Sequence, residues 1–289
     1  EIDLAKALNN NLISGAAIDV FNNEPIDKKH PLLNAKNILL TPHLGASTHE
    51  AKEGVSIGIC EQVRNFLIDG KLSNPINMPI TDTSKLKLLR PHLELAKIIG
   101  KLQAQVNNQP IKSVSVECFG TIVDPKPVAL SFLMGILQNM TDLKLNFVNV
   151  AFIAEERGIS ISHSYNSEKI SFANLVSTSV KTDNGIMEIS GSVFGDSHPR
   201  LVDIMGYEVD VRPEGIMLLL ENKDIPGVIG KVGCLLGEAK VNIAEYLLSR
   251  TKKGESAYAI VKVDGKLSEE LIKDLSEMNE IITIKQLEL

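Results

Sequence analysis

Residues 14–21, S-G-A-A-I-D-V-F, are a continuous apolar run broken only by Asp19, and residues 37–41, N-I-L-L-T, are a second one. Runs of this length without alternation read as strands buried on both faces, the habit of parallel sheets covered by helices. Before the first run, Leu4, Leu8 and Leu12 with Ala5 and Ala7 make one apolar stripe, which predicts a helix over residues 1–11. After the second comes T-P-H-L-G-A-S-T, residues 41–48. Ser47 and Glu50 then have the spacing of a capping box. Ala51, Val55, Ile59, Val63 and Phe66–Leu67 predict the buried stripe of a long helix that Gly70 ends. The sum is an α/β segment with a parallel sheet.

The prolines and asparagines of N-P-I-N-M-P, residues 74–79, cannot continue a helix and mark a boundary. Beyond it, residues 85–107 read as a helix, and from Ile111 through Val114 and Val116 the period changes to 2. A helix over 127–140 follows, then strands at 158–164, 172–182, 185–194, 200–204 and 207–212. This is an α+β domain.

The last segment runs strand 215–222, helix 226–240 with Pro226 at its first position, and strands 243–252 and 255–263. The turn between those strands is Lys253–Gly254. A helix over 268–279 capped by Ser268 and a strand over 281–289 complete it. The order βαββαβ is the split, ferredoxin-like arrangement. Three domains are therefore expected, over residues 1–79, 80–213 and 214–289.

A net charge of −6 with both signs interspersed, in 289 residues, excludes a general binder of nucleic-acid backbones. No apolar run approaches the roughly 20 residues of a membrane-spanning helix, so neither nucleic acid nor membrane is an expected partner. Cys60, Cys118 and Cys234 are far apart and odd in number, which predicts reduced, mostly buried thiols, no metal site and a cytoplasmic setting. The chain opens on Glu1, already inside a helical pattern, and is expected to be an N-terminally truncated fragment.

Three residues carry the first chemical signal. Asp19 is a carboxylate in an apolar strand, and such a group needs donors or a proton. Glu24 follows in an N-N-E-P turn, and His43 lies beyond the second strand, just before a helix. Ligands of open parallel sheets collect at the carboxyl ends of strands, where these loops lie. A carboxylate beside an imidazole fixes its tautomer and raises its pKa, which suits an acid/base near neutral pH. On pattern alone, a solvated Glu24 and a surface His43 account for the same residues.

The blocks G-A-A-I-D-V-F-N-N-E-P, residues 15–25, and N-I-L-L-T-P-H-L-G-A-S-T, residues 37–48, resemble the D-2-hydroxyacid dehydrogenases. The resemblance implies the tail of a Rossmann-like NAD-binding domain. By it, His43 is the acid/base that exchanges a proton with the substrate C2 hydroxyl, and Glu24 is its partner. Asp19 bonds the nicotinamide carboxamide, and Gly45 and Ala46 line the cofactor side. The family's glycine-rich phosphate loop, its ribose-binding acidic residue and its substrate-binding Arg-Gly-Gly stretch are not in this sequence. The isolated fragment is thus expected to be inactive.

Residues 154–159 (A-E-E-R-G-I) and 194–206 (F-G-D-S-H-P-R-L-V-D-I-M-G) are similar to the intervening domain of the family's long, phosphoglycerate-oxidising branch. That branch implies 3-phosphoglycerate as substrate. His198 and Arg200 are candidates for an anion site, with Lys126 in the same class; a solvated loop is the commoner origin of such residues.

In the terminal domain, N-K-D-I-P-G, residues 222–227, and V-N-I, residues 241–243, place a carboxylate and amides near a helix start. A free amino acid needs such opposite poles. The plainer alternative makes Asp224 an N-cap and Asn242 a turn residue. Within a βαββαβ unit the segment resembles an ACT domain. That resemblance implies L-serine as effector, held by Asn222, Asp224, Gly227 and Asn242 across paired subunits of a homo-oligomer, dimer or tetramer. Two other readings stay open: a non-catalytic amino-acid-binding regulatory protein, and a dehydrogenase for another 2-hydroxy acid.

Overall fold

The structure, a computed structural model, describes the 289-residue chain apart from residues 70, 72, 77, 79–82, 169–170, 196 and 251–254, and the side chains of 83–87. It divides into two compact units, Glu1–Pro75 and Ile76–Leu289.

The first unit contains helix α1 (Ile2–Asn9), strand β1 (Ala16–Ile18), a 3-10 turn (Pro31–Asn34), strand β2 (Ile38–Leu40) and helix α2 (His49–Asp69). β1 and β2 pair in parallel, with Ala16, Ala17 and Ile18 opposite Ile38, Leu39 and Leu40. Leu8 and Leu32 are fully buried where α1 meets the 3-10 turn.

Two expectations are corrected here. The strands are three residues each, and they are not buried on both faces: Leu39 is 64% exposed. Asn37, just before β2, takes φ 49°, and beyond the strands the backbone contacts continue only as single bonds, Thr41 N–H to the Ile18 carbonyl and His43 N–H to that of Asp19. Burial on two faces needs covering layers, and an apolar run records the demand for them, not their presence.

The same holds for α2. Val55, Ile59, Val63, Phe66 and Leu67 are each half or more exposed, and no residue of the helix is buried. Cys60 on this helix is exposed, as is Cys234, so Cys118 alone meets the expectation of buried thiols. Its first turn is capped by Thr48, whose Oγ1 accepts the Ala51 N–H at 3.2 Å, in place of the expected Ser47–Glu50 box. Gly70 lies outside the described residues.

The second unit opens with α3 (Thr83–Val106), then β3 (Ser113–Gly120), α4 (Pro125–Leu137), α5 (Val150–Glu156) and β4 (Ser160–Asn166). Strands β5 (Asn174–Thr182), β6 (Gly185–Phe194), β7 (His198–Ile204) and β8 (Tyr207–Val211) follow. They form a six-stranded sheet in the order β4-β3-β5-β6-β7-β8, antiparallel except for the β3–β4 pair. α3 and α4 pack backbone to backbone through two glycines. A Cβ on Gly135 would overlap the Lys97 carbonyl, and one on Gly100 would overlap that of Phe132. The short helix α5 was not expected; its seven residues bury only Val150, Ile153 and Ala154, too few turns to show a period.

The chain ends in β9 (Ile216–Lys223), α6 (Val228–Glu238), β10 (Ile243–Arg250), β11 (Ser256–Val263), α7 (Glu269–Ser276) and β12 (Ile281–Glu288). The sheet order β10-β11-β9-β12, antiparallel throughout, is that of the ferredoxin-like split βαβ. α7 is capped by Ser268, whose hydroxyl accepts the Leu271 N–H. α6 starts later than expected: Gly227, at φ 98°, is the N-cap, and Pro226 precedes it. The Lys253–Gly254 turn and Pro79 lie outside the described residues.

One face of this sheet, with Leu218, Leu220, Ala259 and Val261, packs under α6 and α7. The other face, with Met217, Leu219, Tyr258, Ile260 and Leu287, joins the core of the six-stranded sheet and α3. Tyr207 stacks on Tyr258 at 5.2 Å, and the Gln105 side chain bonds both backbone groups of Glu288.

The α3–α4 contact gives a stability test. Gly135→Ala must separate two backbones and should destabilise by about 1–3 kcal/mol or more. Gly233→Ala, in the middle of α6 with nothing within 4 Å of the new methyl, should stabilise by about 0.5–1 kcal/mol. Urea unfolding followed by circular dichroism measures both, and equal effects would contradict the packing described.

Candidate functional site

The first cluster forms where β1 and β2 end together. Asp19 follows β1 directly, and its carboxylate accepts three hydrogen bonds: Thr41 Oγ1 at 2.6 Å, Leu44 N at 2.6 Å and Gly45 N at 2.7 Å. The Thr41 hydroxyl first, then the Leu44 amide, hold the Asp19 carboxyl below its ordinary range, so it is ionised. Its backbone oxygen also accepts the His43 N–H at 2.9 Å. The turn is thereby fixed with His43 at φ 55°, a region side-chain-bearing residues seldom adopt.

His43 Nδ1 meets Glu24 Oε2 at 2.8 Å. The other Glu24 oxygen accepts the Phe21 N–H at 2.8 Å, so both ends of the carboxylate are held. The hydrogen bond from Glu24, and then its charge, raise the His43 pKa, while the same bond and the Phe21 amide lower that of Glu24. With Nδ1 engaged by a carboxylate, neutral His43 carries its proton there and presents the Nε2 lone pair outward. The pair borders a cavity of about 560 Å³, walled by Phe21, Pro25, Ile26, Leu40 and Pro42. An acid/base next to an apolar wall is what proton transfer to a small substrate needs.

Gly45 and Ala46 follow His43. Gly45 gives its N–H to Asp19, and a Cβ there would stand 3.0 Å from Asp19 Oδ2, so only glycine fits without displacement.

A second carboxylate–imidazole pair had no sequence signal. Glu1 Oε1 accepts the Asn22 N–H at 2.7 Å, and Oε2 lies 3.2 Å from His30 Nε2. His30 Nδ1 accepts the Leu32 N–H, so Nε2 carries the proton toward Glu1. This pair braces the turn that bears Glu24. It was missed because 29 residues separate partners that only the folded loop brings together.

The terminal cluster lies at the joint of β9 and α6. Asn222 is 3% exposed; its Nδ2 donates to the Lys223 carbonyl at 2.8 Å, and its Oδ1 has no partner among the described residues. Asp224 does not cap α6, whose N-cap Gly227 makes no side-chain bond. It pairs instead with Arg250, Oδ2 to Nη1 at 3.3 Å. Asn222, Asp224, Gly227 and Arg250 border one cavity of about 390 Å³. Asn242 does not: it precedes the opposite end of β10 and donates to Asp264 Oδ2 at 2.8 Å.

In the middle sheet, His198 and Arg200 are two apart on β7 and share a face, and Arg200 Nε lies 3.7 Å from Asp210 Oδ1. The Lys126 amide donates to Asp124 at the start of α4. Among the described residues no group of three or more His, Cys, Asp or Glu is placed to hold a metal, and no helix is long and apolar enough to cross a membrane.

Comparison with known proteins adds names to this geometry. Residues 88–205 match the D-3-phosphoglycerate dehydrogenase intervening domain, and residues 1–45 match the NAD binding domain of D-isomer specific 2-hydroxyacid dehydrogenases. D-3-phosphoglycerate dehydrogenase of Bacillus subtilis (strain 168) is 32% identical over 295 residues, which is 100% of this chain and 55% of the relative. That of Methanocaldococcus jannaschii is 32% identical over 280 residues, 96% of this chain and 53% of the relative. The Synechocystis sp. protein of the same name is 30% identical over 278 residues, 95% and 50%. The chain spans about half the length of these curated relatives.

The His43–Glu24 pair makes a measurable claim on this chain. An NMR titration should place the His43 pKa above the ordinary value of about 6.5, and Glu24→Gln should bring it down. A His43 titration that Glu24→Gln leaves in place would contradict the pairing.

Proposed function

We propose that the chain belongs to the D-3-phosphoglycerate dehydrogenase family and serves the NAD-dependent oxidation of 3-phospho-D-glycerate to 3-phosphohydroxypyruvate, the entry to serine synthesis. The observation that carries this reading is the 2.8 Å His43–Glu24 pair at the mouth of an open cavity.

His43 Nε2 takes the proton of the substrate C2 hydroxyl as C2 gives up its hydrogen with the electron pair. NAD, when bound, supplies the acceptor for that hydride. Glu24 keeps the Nδ1 proton in place and balances the imidazolium that forms. Asp19 fits the cofactor's carboxamide: an ionised carboxylate beside the acid/base is an acceptor for an amide N–H, with the Gly45–Ala46 backbone alongside. In the reverse direction His43 returns the proton to the carbonyl oxygen.

The same reading gives the chain three parts: residues 1–79 for cofactor and catalysis, 80–213 as intervening domain, and 214–289 as an ACT-type sensor. L-serine is the effector in this reading, held by Asn222, Asp224 and Gly227 of one chain and Asn242 of a second. Dimeric or tetrameric assembly and a cytoplasmic setting belong to it as well. Asn222 Oδ1, buried in a cavity and without a partner among the described residues, supports the sensor, since such an acceptor awaits a donor.

Three outcomes follow for the full-length protein. His43→Ala should reduce kcat for phosphoglycerate oxidation by about 10²–10⁴-fold, the worth of a positioned acid/base; unchanged turnover would refute its role. As oxidation needs neutral His43, activity falls as pH drops through its pKa. Glu24 holds that pKa up, so Glu24→Gln should move the acid limb of kcat/KM to lower pH. By calorimetry, Asp224→Ala and Asn242→Ala should each weaken L-serine binding, and undiminished binding by both would sink the effector assignment.

A further inference from the structure

The sensor reading supplies an acidic pole and free amides, but its carboxylate-binding pole has no full positive charge. The structure provides one. Arg250, the last residue of β10, pairs across β11 with Ala257, and Ala257 pairs with Asn222 of β9. Residues opposite one another on neighbouring strands project from the same face. That face is the one under α6 and α7, because Leu220, two before Asn222, lies in their core. The alanine between them carries only a methyl group, which leaves room between the guanidinium and the amide.

The resulting cavity has charges of both signs on its wall. Asp224 is 14% exposed and Arg250 54%, and they face each other at 3.3 Å. Asn222 Oδ1, buried and without a donor among the described residues, is the second acceptor on the Asp224 side. The first-turn amides of α6, with no side-chain cap, are further donors. Leu248 and Ile229 add apolar side chains to the same wall.

We propose that Arg250 binds the α-carboxylate of a free amino acid in this cavity while Asp224 takes its ammonium group. This rests on the amino-acid-sensing reading of the terminal domain and adds to it a cationic residue within one chain. A zwitterion is the chemical class that fits. Entering the ion pair, it gives each charged side chain an opposite charge in exchange for the one it leaves, so nothing is stranded. Guanidinium and carboxylate are also matched in shape, fork to fork. Asn222 Oδ1 accepts a second ammonium proton, which relieves its unpaired state.

Calorimetry of the 289-residue chain tests this, with L-serine, glycine, L-alanine and L-valine as probes. The wild type should bind at least one of them. R250Q should weaken that binding about tenfold or more, and R250K should recover part of the loss. The amide derivative of the bound amino acid, which has lost the carboxylate charge, should bind wild type weakly and R250Q no more weakly. Far-UV circular dichroism of each variant should match wild type, as Arg250 is a half-exposed strand end. R250Q binding as tightly as wild type overturns the role of Arg250 and leaves the sensor reading standing. Failure of wild type to bind any of the four overturns the sensor reading, and this proposal with it.

Discussion

A carboxylate at the end of an apolar strand must find donors, and in the first unit almost everything chemical depends on where Asp19 finds them. Three donors from the segment after β2 converge on its two oxygens. That convergence ties two strands of only three residues each, which backbone pairing alone would leave marginal. It also holds the His43 backbone in a left-handed turn and so decides where the imidazole can reach. Charge-assisted bonds of this kind are stronger than neutral ones and suit a site whose geometry has to survive solvent exposure.

The terminal sheet solves a different problem. It is covered on both faces, by its own helices on one and by the middle sheet and α3 on the other. Its strands cannot shift without disturbing one of the two cores. The ligand-sized cavity is therefore placed at a strand end, beyond the last covered residue, where Asn222 is still buried but Arg250 is half exposed. Two side-chain contacts run from this sheet to the six-stranded sheet and to α3. Ser256, one residue before Ala257 on β11, bonds the Tyr207 hydroxyl of β8 at 2.8 Å. Gln105 of α3 pairs with the backbone of β12.

How much of this is readable in the sequence depends on how local the cause is. The second unit is legible where its strands alternate, as β3 and β5 do, and where its helices are long, as α3 and α4 are; Ser268, the β6 bounds and the βαββαβ order follow from short-range rules. The Asp19, Glu24 and His43 cluster is legible as chemistry, since a carboxylate in an apolar run and a histidine after another are anomalies in composition. The exposure of α2 and of Leu39 is not, because hydrophobic spacing specifies which face is apolar and not what covers it. The cap at Thr48 in place of Ser47 is a one-residue shift between two hydroxyl residues that propensity does not separate. Arg250 is the least legible residue. Its meaning comes from a register that sets it opposite Ala257 and Asn222, and nothing in T-K-K-G, residues 251–254, or in the strand before it marks that level.

Both sites are built on a carboxylate facing a cation, and the choice of cation separates their uses. In Glu24–His43 the cation titrates near neutral pH, so the pair can exist charged or neutral and can hand a proton to or from a bound molecule. Raising the imidazole pKa through Glu24 makes it a better proton acceptor without removing its ability to give the proton back. In Asp224–Arg250 the cation is a planar guanidinium that carries N–H donors and no acceptor. It has no proton to exchange, and what it offers is a fixed, forked set of donors. On the proposed reading, the same electrostatic motif serves proton transfer with histidine and recognition with arginine. An Arg250→His exchange would turn the second into a pH-sensitive version of itself, whereas no arginine at position 43 could serve the first.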